Sequence, residues 1–202
     1  MPRPRQHCDE AILDKALDIF WNRGYAATSM RDLSAACGLS IAALYHRFTD
    51  KDGLFVAVLR RYADQGLRER LARLADVRPP LRAIRTFFDE LIEMSICDPD
   101  RRGCLLVNTA LDGAALPDAA GDMVRERLGE IEAFFRVKLH EARSDGSLAP
   151  SIKPAAAAES LLGTVLAVRV LARLNPESRR LRRLVRSALG PLANPAQTSR
   201  AA

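Results

Sequence analysis

Five polar side chains of complementary types crowd into residues 45–51: Tyr45, His46, Arg47, Thr49 and Lys51. A phenol, an imidazole, a guanidinium, a hydroxyl and an ammonium are the groups that bond phosphate oxygens. Leu44 and Phe48, four residues apart, supply one inward helical face, so the polar groups belong to the outer face of a short helix. The segment ahead of it has to hold that helix in place. Residues 28–48 read as two short helices joined by a tight turn. Ser29 caps the first, with Asp32 three residues on as the second half of a capping box. Met30, Leu33, Ala36 and Cys37 give this helix an apolar face. Gly38 sits where the chain leaves it, Leu39 plugs the turn, and Ser40 caps the next helix, 41–47. Helix, glycine turn and second helix form a helix-turn-helix pattern, whose second helix lies in a DNA major groove.

Other chemistries lack their motifs. No GxGxxG, phosphate-loop, GxSxG or HExxH pattern is present. His7, His46 and His140 are scattered without ligand spacing to one another or to cysteine. The chain therefore reads as a non-enzyme, with no metal and no cofactor expected.

Residues 12–55 resemble the N-terminal domain of the TetR/AcrR family of bacterial transcription regulators. The likeness runs through the aliphatic first helix, the Arg23-Gly24-Tyr25 exit, Thr28, Arg31-Asp32-Leu33, Cys37-Gly38-Leu39-Ser40, Leu44 to Phe48, and Lys51-Asp52-Gly53-Leu54-Phe55. It implies DNA contacts from Thr28, Ser29, Arg31, Ser40, Ile41, Ala42, Ala43, Tyr45, His46, Arg47 and Lys51. In one respect the chain departs from the family. Where basic or polar residues are frequent, it has Ile41-Ala42-Ala43, so base readout there leans on apolar contact with thymine methyl groups.

The 202 residues suffice for a small domain plus a larger one. Hydrophobic residues make up 48% and aromatics only 5%, a composition suited to an all-α protein with aliphatic packing. The net charge of +6 permits a polyanionic partner, yet its distribution is uneven. Seven bases meet seven acids between residues 1 and 55, so phosphate contacts there depend on placement. The excess lies in Arg169, Arg173, Arg179, Arg180, Arg182, Arg183 and Arg186. No apolar run is expected to reach the ~20 residues that span a bilayer, and no signal peptide is expected. Cys8, Cys37, Cys97 and Cys104 show no CxxC spacing, so reduced thiols and a cytoplasmic location are expected.

About nine helices are expected. A helix-turn-helix domain over 8–53 precedes a larger domain over 54–190, with disordered tails at 1–7 and 191–202. Arg3 and Arg5 lie in the first tail, either frayed or reaching a minor groove. Helix 1 buries Ile12, Leu13, Ala16, Leu17, Ile19 and Phe20. Helix 4, opened by Thr49 with Asp52 as capping acid, runs to about residue 75 and ends before Pro79-Pro80. Further helices are expected near 81–96, 102–111, 119–143, 154–174 and 177–189.

The family resemblance implies an effector pocket lined by Phe87, Phe88, Leu91, Cys104, Asn108, Phe134 and Phe135; the alternative is that these residues form a solid core. A Gly103-Cys104-Leu105-Leu106-Val107-Asn108 segment recurs in several such C-terminal domains. Cys104 either lines this pocket or, beside Arg101 and Arg102, serves as a redox or electrophile sensor. Helix 8 is apolar around most of its circumference. The resemblance pairs it and helix 9 with a second copy through Leu161, Leu162, Val165, Leu166, Leu181, Leu184 and Val185. The implied protein is a dimeric repressor that binds a palindromic double-stranded DNA operator and is released by a small-molecule effector, without a membrane partner. The alternative is a helical protein whose helix-turn-helix serves architectural or protein-contact roles.

Overall fold

The computed structural model describes residues 5–113 and 116–195, with side chains from residue 9 onward. The described residues are helical throughout apart from turns and one isolated bridge, as the all-α composition requires. The elements are α1 (Arg5–Arg23), α2 (Met30–Cys37), α3 (Ile41–Phe48), α4 (Lys51–Tyr62), a π-helical segment (Ala63–Arg68), α5 (Glu69–Ala75), α6 (Pro80–Ile96), α7 (Leu105–Asp112), α8 (Asp118–Ser144), α9 (Pro154–Leu174) and α10 (Ser178–Leu189). Taking α4, the π segment and α5 as one element leaves nine helices among the described residues. The arginines of the expected N-terminal arm, Arg3 and the Arg5 side chain, lie outside the described residues, as do 1–4 and 196–202 of the expected tails.

Two compact units emerge, one from residues 5–67 and 104–127, the other from 68–103 and 128–195. In the first, α1 packs on α2 and α4, and α3 packs on both α2 and α4. Ile12, Ala16 and Phe20 recur every four residues along α1 and bury against Leu33, Cys37, Leu44, Leu54, Phe55, Val58 and Leu59. Leu13, Leu17 and Ile19 flank this stripe half-buried. Because α4 contributes four of these core residues, the expected boundary at 53/54 falls inside the unit. The Phe20 and Phe55 rings lie 4.8 Å apart, and Trp21 meets Tyr62 edge-on at 5.0 Å.

In the second unit α6, α9 and α10 pack together and α5 packs on α6. Two charges are buried along α8 where periodicity alone would place none, Arg127 in the first unit and Lys138 in the second. Lys138 donates to the Ala75 carbonyl and, at 2.8 Å, to Glu141. Two expectations are corrected here. The packed chain continues past Pro191: Leu192 is buried, Ala149 N–H donates to its carbonyl at 2.8 Å, and Ala193 bridges Leu148. In addition, the 21 residues of α9 include a window of mean hydropathy 1.6, long and apolar enough to cross a membrane by length and composition. Glu159, Arg169 and Arg173 punctuate this run in the sequence.

Candidate functional site

The helix-turn-helix is built by local polar chemistry. Ser29 caps α2: its hydroxyl accepts from Asp32 N–H at 3.2 Å, and the Asp32 carboxylate accepts from Ser29 N–H at 2.9 Å. The Ser29 hydroxyl and N–H, together with Arg23 at 2.9 Å, hold the Asp32 carboxyl below its ordinary pKa. Gly38 ends α2 at φ 68°, ψ 31°, a left-handed conformation that costs glycine nothing. Its N–H and that of Leu39 both reach the Ser34 carbonyl, while the Ser34 hydroxyl donates to Leu39 O at 2.5 Å. Ser40 then caps α3, accepting from Ala43 N–H at 3.2 Å. Leu44, fully buried, pins α3 to the core.

The exit from α3 is tighter than expected. Thr49 adopts φ 70°, ψ −55°, and Asp50 N–H bonds the Phe48 carbonyl at 2.8 Å, which is a γ-turn, strained for a β-branched residue. Asp50, rather than the expected Thr49, caps α4 and accepts from Gly53 N–H at 2.7 Å. Gly53 passes so close to the turn that a Cβ there would lie 2.2 Å from the Phe48 oxygen. This close approach fixes how α3 leaves α4, and no sequence signal announced it.

Lys51, expected at a phosphate, is bonded within the protein. Its ammonium donates to the Tyr25 and Thr28 carbonyls, each at 2.9 Å, and lies 4.0 Å from the centre of the Tyr25 ring. Two of its three N–H groups therefore tie down the loop that leads into α2. The Tyr25 hydroxyl donates to Asp52, and burial, reinforced by that carboxylate, pushes its phenol up to about 12. Thr28 is also inward, its hydroxyl donating to Gly24 O at 2.7 Å. Arg47 pairs with Asp9 at 2.8 Å and fastens α3 to α1. The expected DNA residues thus separate into two groups. Thr28, Ser29, Arg47 and Lys51 are bonded within the protein. Ser40 is bonded as the cap of α3, while Arg31, Ala42, Tyr45 and His46 are exposed, with Ile41 and Ala43 half-buried beside them. Tyr45 is 46% exposed, with its hydroxyl available on the outer face of α3.

The expected effector residues are divided between the units. Phe87, Phe88, Phe134 and Phe135 belong to the second, and their rings stack and tilt against one another at 5.1–6.0 Å. Leu91 of the same unit is buried, as are Phe87, Phe88 and Phe135, while Phe134 is half-buried. Cys104 and Asn108 belong to the first unit. Cys104 is the residue preceding α7 and accepts from the Tyr62 hydroxyl at 3.6 Å. Of the two guanidinium groups expected beside it, Arg101 and Arg102, the second lies 3.7 Å from Asp98 and 4.0 Å from Asp100. Burial raises the Cys37 thiol, and its Sγ points at the Ile12 carbonyl. The exposed Cys97 thiol is raised by its hydrogen bond to Glu93.

The expected dimer residues also divide. Leu161, Val165, Leu181 and Val185 are 0–5% exposed because they form the protomer's own α6–α9–α10 core. Leu162, Leu166 and Leu184 are only half-buried, and Val170 and Leu174 on α9 are 36% and 73% exposed. The outer ridge 162, 166, 170, 174 is therefore the apolar surface left open on α9, and the sequence alone could not separate it from the inner face.

Residues 12–58 match the model of the bacterial regulatory proteins, tetR family, and residues 80–188 match the tetracyclin repressor-like C-terminal domain. The chain is 31% identical over 152 residues to the HTH-type transcriptional repressor ComR of Escherichia coli K12, covering 73% of this chain and 71% of that one. It is 27% identical over 154 residues to the regulator UidR of the same strain, covering 75% and 74%. Among solved structures, the TetR family regulator CifR, captured as a cysteine mutant on a 26-bp double-strand operator, superimposes with a TM-score of 0.81 at 28% identity, covering 91% of this chain and 95% of that one. The two models together span most of the chain, from α1 through the capped α2, glycine turn and α3 to α10, and the chain belongs to the tetR family of bacterial regulatory proteins.

Proposed function

We propose that this protein is a dimeric cytoplasmic transcriptional repressor that reads a palindromic operator through α3 and is released by a small-molecule effector. The observation that carries the reading is the outer face of α3, where Ala42, Tyr45 and His46 stand exposed on a helix immobilised by caps and a buried Leu44. Its likeness to a relative named as a repressor supports the sign of regulation. With α3 in the major groove, Ala42 and Ala43 present methyl groups to thymine, while Tyr45, His46 and Arg31 bond phosphates on either side. Ser29 and Lys51 hold the loop and helix that aim them.

One short helix discriminates too little, so two heads must act together on half-sites about one helical turn apart. The α9 ridge of Leu162, Leu166, Val170 and Leu174, with Leu184 of α10, is the surface we assign to the twofold contact. We place the effector among the helices of the second unit. The Phe87, Phe88, Phe134 and Phe135 rings are closed on one another, so a ligand must part them to bind. Ligand binding and rearrangement are then one event, which shifts the population away from the DNA-binding state.

Selection of bound sequences from random duplex DNA with the purified protein tests this. An enriched inverted repeat is the expected result. Salt-dependent binding without sequence enrichment would instead favour an architectural role for the helix-turn-helix.

A further inference from the structure

Arg169 projects from α9 into the second unit and is only 7% exposed. Its Nη1 donates to the Ser95 hydroxyl of α6 at 3.1 Å, and the Ser95 O–H donates in turn to Leu91 O at 2.7 Å. Ser95 is a neutral dipole already in use, so it offers no counter-charge. Among the described residues no carboxylate lies within ion-pairing distance of Arg169, and one of its five N–H groups is bonded. The residues flanking it and Ser95 in sequence include buried apolar ones: Val165, Val168 and Ala172 along α9, and Leu91 and Ile92 on α6. The other buried basic side chain of this unit, Lys138, has its carboxylate in Glu141. The carbonyl end of α6, which closes at Ile96, supplies only a partial negative charge. An ion taken out of water without a partner costs several kcal/mol, so such groups are normally paired.

We propose that Arg169, seated on Ser95, is the binding site for the anionic group of a small molecule, a carboxylate or phosphate attached to an apolar body. This rests on the reading of the second unit as the effector-binding part and names the effector's chemical class. The planar guanidinium fork matches either anion in bidentate geometry, and the aliphatic surroundings suit the rest of the ligand. A carboxylate from a second copy fits less well. Between them α9 and α10 carry one acid, Glu159, against Arg169, Arg173 and the five arginines of α10. The guanidinium is, moreover, already turned inward to α6.

The test is thermal unfolding of the full chain with hexanoate, phenylacetate and inorganic phosphate, against 1-hexanol and 2-phenylethanol, in the wild type, Arg169→Met, Ser95→Ala and Glu159→Gln. At about a hundredfold excess over Kd, an anion that binds should raise the wild-type midpoint by on the order of 5 °C. The alcohols should not. Arg169→Met should lose the shift and, without ligand, melt at or above the wild-type temperature; Ser95→Ala should weaken the shift, and Glu159→Gln should keep it. A larger shift from the organic acids assigns the apolar body, and a shift from phosphate alone assigns a phosphate group. The proposal is overturned if no anion shifts the wild type, if acids and alcohols act alike, if Arg169→Met responds as the wild type does, or if it melts well below the wild type. Dissociation of the dimer by Glu159→Gln, matched by Arg169→Met, would hand the guanidinium to the second copy and likewise overturn it. Operator binding in the same samples separates the two readings. A shift that depends on Arg169 without DNA release keeps the anion site and removes its effector role.

Discussion

Gly53→Ala is the substitution on which the geometry of the DNA-binding head depends most directly. The added methyl would lie 2.2 Å from the Phe48 carbonyl oxygen and 3.3 Å from its carbon, against an ordinary contact of 3.4 Å or more. The gap must therefore open by about 1.2 Å, and the obstacle is backbone that no rotamer change can move. That same oxygen accepts Asp50 N–H in the γ-turn at 2.8 Å, so relief of the clash strains or breaks this bond too. Overpacking costs about 1–3 kcal/mol and the hydrogen bond about 1, offset by about 1 kcal/mol from replacing glycine in a helix. The net is a loss of about 1–3 kcal/mol. Gly66→Ala is the matched control, since nothing lies within 4 Å of its Cβ position and it should gain about 0.5–1 kcal/mol. Urea unfolding followed through Trp21, the single tryptophan, reports on the head directly. A displaced α3 forfeits base contacts worth about 1–3 kcal/mol each, so operator affinity should fall about tenfold or more in Gly53→Ala and hold in Gly66→Ala. If both variants are equally stable and bind operator alike, the close approach at Gly53 does not govern the aim of α3.

Further substitutions separate structural from interfacial roles. Lys51→Ala removes the ammonium donor of the Thr28 carbonyl and leaves the Tyr25 carbonyl only Thr28 N–H, and should cost about 1–3 kcal/mol in urea unfolding. Tyr45→Phe, by contrast, should leave stability unchanged and weaken binding to all DNA sequences alike, which titration against operator and random duplexes would reveal. Because the Tyr25 phenol is raised to about 12 while an unfolded tyrosine titrates near 10, the unfolded state sheds its proton first on raising the pH. That contribution to stability is fully present below about pH 10 and disappears as pH climbs through 12, so unfolding midpoints from about pH 9 to 12 should fall more steeply in the wild type than in Tyr25→Phe. Leu166→Glu should yield folded monomers by sedimentation, whereas Val165→Glu, which buries a carboxylate in the protomer's own core, should unfold the second unit.

The parts of the fold that were legible in the sequence are those set by short-range chemistry. The Ser29 and Asp32 box, the glycine at the left-handed exit of α2, the Ser40 cap and Pro154 opening α9 each act within a few residues, and the structure has them where spacing places them. The aliphatic periodicity of α1 and α4 likewise marked the faces that bury. What stayed hidden depends on distance. That the Lys51 ammonium bonds two carbonyls is decided by Tyr25 and Thr28, more than twenty residues upstream. Composition around residue 51 is the same in either case.

The apolar helix α9 shows the same limit in a sharper form. Its leucines and valines satisfy a buried face, an outer ridge and even a membrane-length window at once, so hydrophobicity alone could not say which face belongs to the protomer. Packing settles it, since α6 and α10 together cover Leu161, Val165 and Ala172, leaving Leu162, Leu166, Val170 and Leu174 turned away. Arg169 lies at the edge of the covered side. In a helix read only for periodicity it is an interruption of an apolar run. Once its guanidinium is seen against Ser95, with no carboxylate beside it, the interruption becomes the most expensive side chain on the helix to bury. Methionine at the same position should stabilise the ligand-free chain in either case, so it is the response of the wild type and Arg169→Met to added anion that separates an idle charge from a working one.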